Sequence, residues 1–260
     1  MTESILSMIR HRAAPDSKLT LYLMHHAGGS HSTFRPWLAH LPEDWEVRLV
    51  VAPGRPKAAT HPAERRLTVI SDALADELLG RDGGSYALFG HSMGGLVAFA
   101  AALEVQRQGG PAPAWVGVSG HPGPFFSITR SNPPLYGLSP DELRAALTDL
   151  GGLPDRILRD PLLWERVQPL VRADLEAAET WEPTPTPPPV LNVPLSAFCG
   201  DHDPVAEERD AAHWGRHTTD FLGVRPFPGG HFYFLDDPEP LVKRIVDDIR
   251  SVLPGREPRR

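Results

Sequence analysis

One short segment constrains this chain more than any other: Tyr86-Ala-Leu-Phe-Gly90-His-Ser92-Met-Gly94-Gly95, an apolar run that ends in Gly-x-Ser-x-Gly and opens into an Ala-rich helical pattern. Asp82-Gly83-Gly84 marks a turn and Tyr86 to Phe89 a short strand; Leu96 to Gln108 reads as a helix that Gly109-Gly110 stops. A serine at such a junction sits on a sharp strand-to-helix turn, and only very small residues two positions to either side avoid a clash. Gly90 and Gly94 supply them. The helix N-terminus behind Ser92 adds a positive dipole end where an oxyanion would form. The segment therefore predicts a nucleophile elbow.

A nucleophilic serine needs an imidazole to take its proton and a carboxylate to orient that imidazole. Both occur later in the chain. Val193 to Cys199 reads as a buried strand running into Gly200-Asp201-His202-Asp203-Pro204, so two carboxylates stand at a strand's C-terminal end. Either can serve as the orienter. Asp203 is preferred because it lies further out and can reach across the loop, whereas Asp201 is placed to cap the turn through nearby amides. Phe221 to Phe227 predicts another strand, and the glycine turn after it presents His231 beside Phe232, Tyr233 and Phe234. His231 is the expected general base. For the oxyanion, the amide of Met93 follows the nucleophile, and Ala27 lies in the Gly-rich turn His25 to Ser30 after the strand-like run Leu19 to Met24. No Gly-Lys-Ser/Thr follows that turn, which excludes a nucleotide P-loop.

In these residues the chain resembles the type II (external, editing) thioesterases that accompany nonribosomal peptide and polyketide synthases. The resemblance is carried by His26 to Gly29, Pro53-Gly54-Arg55, Gly90 to Gly95, Gly200 to Pro204 and Gly229 to Phe232, in that order along the chain. It implies an α/β-hydrolase fold, with Ser92, Asp203 and His231 as catalytic triad and the Ala27 and Met93 amides as oxyanion hole. It also implies acyl or peptidyl carrier proteins as partners, acyl thioesters as substrates, and no metal or redox cofactor beyond the phosphopantetheine carried by the substrate. The chain departs from the family at Pro56-Lys57-Ala58 and at Ser119-Gly120-His121-Pro122-Gly123-Pro124, where a further basic residue and a Ser-Gly-Arg-x-Ala-Pro-like segment are usual. Carboxylesterase or lactonase activity, release or cyclisation of a single product, and a noncatalytic carrier-binding module are the alternative readings.

Strand-like runs at Glu46 to Val51 and Ala114 to Ser119, with helices at Thr68 to Leu79 and Pro240 to Leu253, complete an alternating pattern. Alternation predicts an α/β chain with a mostly parallel, doubly wound sheet. Between His121 and Pro189 the pattern breaks into helices, one opened by the capping-box signature at Ser139 to Glu142 and one over Asp155 towards Trp181. Residues 1–120 and 190–260 are accordingly expected to form the core and 121–189 a helical lid, with Pro183 to Pro189 a stiff return and Arg256 to Arg260 a frayed tail. The net charge of −7 argues against nucleic-acid binding. No stretch has membrane-spanning length or a signal-peptide core, so a cytoplasmic protein is expected. The single cysteine, Cys199, excludes an internal disulfide and reads as a buried strand residue. An acidic enzyme meeting an acidic carrier needs a locally basic face, for which Arg55, Lys57, Arg65 and Arg66 are candidates.

Overall fold

The computed structural model describes residues 4–13, 17–55, 61–124, 133–183 and 190–253. The expected segment Pro56-Lys57-Ala58, the tail after 253 and most of the Pro183 to Pro189 return lie outside these residues. A seven-stranded sheet has the order β1-β3-β2-β4-β5-β6-β7, formed by β1 (Ser7–Arg12), β2 (Leu19–Met24), β3 (Trp45–Val51), β4 (Tyr86–His91), β5 (Trp115–Ser119), β6 (Leu191–Gly200) and β7 (Thr218–Phe227). All neighbours are parallel except β1, which runs antiparallel to β3 at one edge. Every residue of β2, β4 and β5 is buried. That is the expected state of central parallel strands covered on both faces, and it is why they read as continuous apolar runs. The edge strand β1, sequence SMIRHR, stays partly exposed.

Helices α1 (Leu67–Leu79) and α2 (Met93–Arg107) cover one face, packing around Tyr22, Leu88 and Val116. On the other face α7 (Glu239–Val252) and a 3-10 helix (His31–Ala39) enclose Trp37, Phe89, Trp115 and Phe198. The stripe Leu241, Val242, Ile245, Val246 and Ile249 buries α7 at the helical spacing that its sequence predicts.

Between β5 and β6 the chain carries α3 (Pro140–Leu150), α4 (Asp155–Arg159) and α5 (Pro161–Glu179). The Ser139–Glu142 capping box opens α3 as expected. The single helical stretch expected from Asp155 is broken in two. Pro161 has no amide hydrogen to continue α4, and Asp160 Oδ1 accepts from Leu162 N (2.9 Å) and Leu163 N (3.2 Å) to cap a new helix. These helices hold a small core of their own, including Leu143, Leu147, Trp164, Val171 and Leu175, with Ala27 packed against it. Leu162, in contrast, is 72% exposed. A short helix, α6 (Glu208–Ala211), precedes β7.

Candidate active site

Ser92 joins β4 to α2 with φ 55° and ψ −119°, the sole non-glycine residue with positive φ among those described. Backbone crowding explains the flanking glycines. A Cβ at Gly90 would stand 1.9 Å from the Gly94 carbonyl oxygen, and one at Gly94 would stand 2.3 Å from the Met24 carbonyl oxygen at the end of β2. The Ser92 amide donates to Ser119 O (2.7 Å), which fixes the turn against β5.

The loops after β6 and β7 are pressed together in the same way. A Cβ at Gly200 would lie 2.2 Å from the Gly230 carbonyl oxygen. The contact brings His231 Nδ1 to 3.0 and 3.1 Å from the two Asp203 oxygens, with both side chains buried. Asp203 Oδ1 also accepts from Val205 N (2.8 Å) and Ala206 N (3.3 Å), which hold the carboxylate in place. Asp201 takes the other place that the sequence allowed for it. Exposed, it accepts from Gly229 N (2.8 Å) and pairs with His202, and these contacts hold its carboxyl below the usual range. Among the described residues no hydrogen bond joins Ser92 to His231.

Ala27 occupies the turn after β2 and Met93 the first position of α2, and neither amide donates to a described residue. The turn is braced by residues that the sequence reading did not pair. Arg55, from the Pro-Gly-Arg motif, donates through Nε to Gly29 O (2.8 Å) and through Nη2 to Asp174 of α5, whose Oδ2 also accepts from Gly28 N (2.8 Å). Both charged side chains are buried. Arg55 is thus no part of a docking face: its guanidinium is spent inside the protein. Arg65 pairs with Glu176 and Arg66 with Glu64, while Lys57 lies outside the described residues. Asp174 carried a readable signal, since it falls on the buried face of α5 shared with Val171, Leu175 and Ala178.

A thioesterase-domain family model matches residues 19–249. The chain belongs to the thioesterase family. Thioesterase PikA5 of Streptomyces venezuelae is 32% identical over 249 residues, covering 95% of this chain and 86% of the relative. Among solved structures, the RedJ thioesterase from the prodiginine pathway of Streptomyces coelicolor superposes with a TM-score of 0.81 at 33% identity, covering 91% of this chain and 88% of that one. YbtT, a type II thioesterase from the yersiniabactin NRPS/PKS pathway, gives 0.84 at 28% identity, covering 94% and 98%. The thioesterase shares with them the mostly parallel sheet of the α/β-hydrolase fold.

Three further histidines surround His231 in this thioesterase. The His91 ring lies 4.7 Å from that of His231 at a tilt of 46°, and its Nδ1 lies 2.8 Å from Ser119 Oγ, which in turn lies 2.8 Å from the Tyr233 hydroxyl. His26 packs its edge on Phe232 (4.7 Å) and shares a 3.2 Å hydrogen bond with Gly152 O. Burial, reinforced by His231 nearby, pushes His26 and His121 down to about 3 and lowers His91 strongly, so these imidazoles stay neutral at pH 7. Cys199 is buried in β6 and its thiol is pushed up to about 12 by that burial. No helix among the described residues is long and apolar enough to cross a membrane.

Proposed function

We propose that this thioesterase is a cytoplasmic serine hydrolase that removes acyl groups from the phosphopantetheine arm of carrier proteins, clearing misprimed or stalled chains in secondary-metabolite assembly. The observation that carries the reading is the strained Ser92 backbone at the end of β4, next to His91, whose ring lies 4.7 Å from that of His231, the partner of the buried Asp203. The provenance of the relatives supports the carrier-bound substrate. In this mechanism Ser92 Oγ attacks the thioester carbonyl carbon and passes its proton to His231, which Asp203 orients. The Ala27 and Met93 amides donate to the tetrahedral oxyanion. The carbon–sulfur bond breaks, and the thiol leaves with the proton from His231. Water then gives a proton to His231 and attacks the acyl carbon, and Ser92 recovers its hydroxyl proton as the free acid departs. Helices α3 to α5, whose own core touches Ala27, act as the lid over this chemistry.

Ser92→Ala is expected to abolish turnover and fluorophosphonate labelling with the fold intact by circular dichroism; activity within about tenfold of wild type overturns the nucleophile assignment. Hydrolysis of acetyl and longer acyl groups from a phosphopantetheinyl carrier, compared with the same groups on small thiols, tests the editing role. Fast release that tolerates chain length and prefers the carrier is expected. Selectivity for one elaborate acyl chain indicates dedicated product release instead.

A further inference from the structure

We propose that the groove between residues 54–55 and 61–65, on one side, and helix α5, on the other, binds the phosphodiester of the substrate's pantetheine arm, with Arg166 as its main contact. The inference rests on the carrier-thioesterase reading above and adds where the far end of the arm is held. The groove has a volume of about 710 Å³ and is lined by Gly54, Arg55, His61, Arg65, Arg166 and Leu170, among others. Its floor is the back of the oxyanion turn, because Arg55 there donates to Gly29 O, and Asp174, beside the groove residue Ala173, accepts from Gly28 N. The groove and the Ala27 amide thus share one turn, and the proposal places the arm of a thioester held at Ala27 across it.

The charges in the groove select an anion. Arg55 is neutralised by Asp174 and Arg65 by Glu176, both from α5. Arg166 is exposed and forms no ion pair among the described residues. His61 Nε2 is buried and without a partner among them. An unspent guanidinium fork thus borders the concave space that His61 also lines, an arrangement that fits the non-bridging oxygens of a phosphate ester. The wall of Pro169, Leu170 and Ala173 suits the uncharged remainder of the arm.

The experiment compares acetyl thioesters of pantetheine and of phosphopantetheine as substrates. Wild type is expected to favour the phosphorylated thioester by about tenfold in kcat/KM at low ionic strength, with the preference shrinking as salt is added. Arg166→Ala should bring the ratio to about one with pantetheine thioester hydrolysis unchanged, and Arg166→Lys should keep part of it. A wild-type ratio near one, or a ratio that Arg166→Ala leaves intact, overturns the proposal. So does an Arg166→Ala effect seen solely with carrier-bound substrate, which assigns Arg166 to the carrier's protein surface. Calorimetric binding of phosphopantetheine to wild type and to Arg166→Ala reads the groove without turnover. Binding lost in the variant supports the groove even if neither thioester is hydrolysed, an outcome that would count against the thioesterase reading alone.

Discussion

The side of the site that holds the proposed nucleophile and the side that holds the proposed oxyanion turn are fixed by different physics. On the nucleophile side, glycines permit backbone approaches that no side chain tolerates: Gly90 against Gly94, Gly94 against Met24 and Gly200 against Gly230. These contacts are steric, and they fix Ser92, Asp203 and His231 through loops that cannot relax. On the oxyanion side a buried ion pair spans 119 positions of the chain, from Arg55 to Asp174. Close packing of backbone leaves few ways to adjust. A buried ion pair balances Coulomb attraction against desolvation, so it is sensitive to the loss of one partner and tolerant of the loss of both.

The largest expected effect separates two carboxylates within the nucleophile side. Asp203→Asn preserves shape but removes the charge facing His231, and on the proposed roles kcat falls by about 10⁴-fold. Asp201→Asn touches an exposed group that bonds Gly229 N and His202, and activity should stay within about threefold of wild type. Steady-state kinetics on one acyl thioester decides between them. Equal losses would show that closure of the two loops, rather than the carboxylate charge facing His231, is what matters.

On the oxyanion side the effect is expected in stability. Asp174→Ala leaves the Arg55 guanidinium buried without its counter-charge and Gly28 N without an acceptor, and should lower unfolding free energy by about 3–5 kcal/mol. Replacing both partners, Arg55→Met with Asp174→Leu, should recover more than half of that loss. Urea denaturation of the three proteins measures it. Absence of recovery would mean that the hydrogen bond to Gly28, and not the charge pair, holds the turn.

The difference between the sides also governs how much of the molecule can be read from its sequence. Gly-x-Ser-x-Gly is legible because its steric demand acts within one turn of chain, and Gly200 and Gly229-Gly230 because close backbone approach leaves glycines in fixed places. The central strands β2, β4 and β5 are legible because burial on both faces makes them continuous apolar runs. Arg55 is the opposite case. A basic residue after a glycine turn suggests a surface, and its burial is decided by Asp174, whose position on α5 becomes visible only when that helix is docked. The strand β1 escaped for a related reason: its sequence, SMIRHR, has neither alternation nor an apolar run, and pairing with β3 creates it. The break between α4 and α5 was readable at Asp160-Pro161 but masked by the apolar residues that continue across it.

Acid reaches both sides at once, and the smallest predicted effect uses this. Neutral His26 can donate from Nε2 to Gly152 O while its buried Nδ1 has no partner among the described residues, so protonation would place there a charge and a hydrogen that none of them accepts. His121 Nδ1 accepts from Gly123 N (3.2 Å), and protonation would remove that acceptor. Because both folded-state values, about 3, lie below the ordinary histidine value, the unfolded chain binds the extra protons. Stability is therefore complete above about pH 6.5 and declines as pH falls towards 3. Between pH 7 and pH 5 each imidazole contributes a loss of about 2 kcal/mol. His121→Asn keeps an acceptor for Gly123 N without a titrating group, so its urea midpoint should fall less than that of wild type over this interval. An equal fall in both proteins would place the acid sensitivity with the other buried imidazoles, His25 and His26 at the turn after β2 and His91 beside Ser92, each of which burial lowers in the same direction.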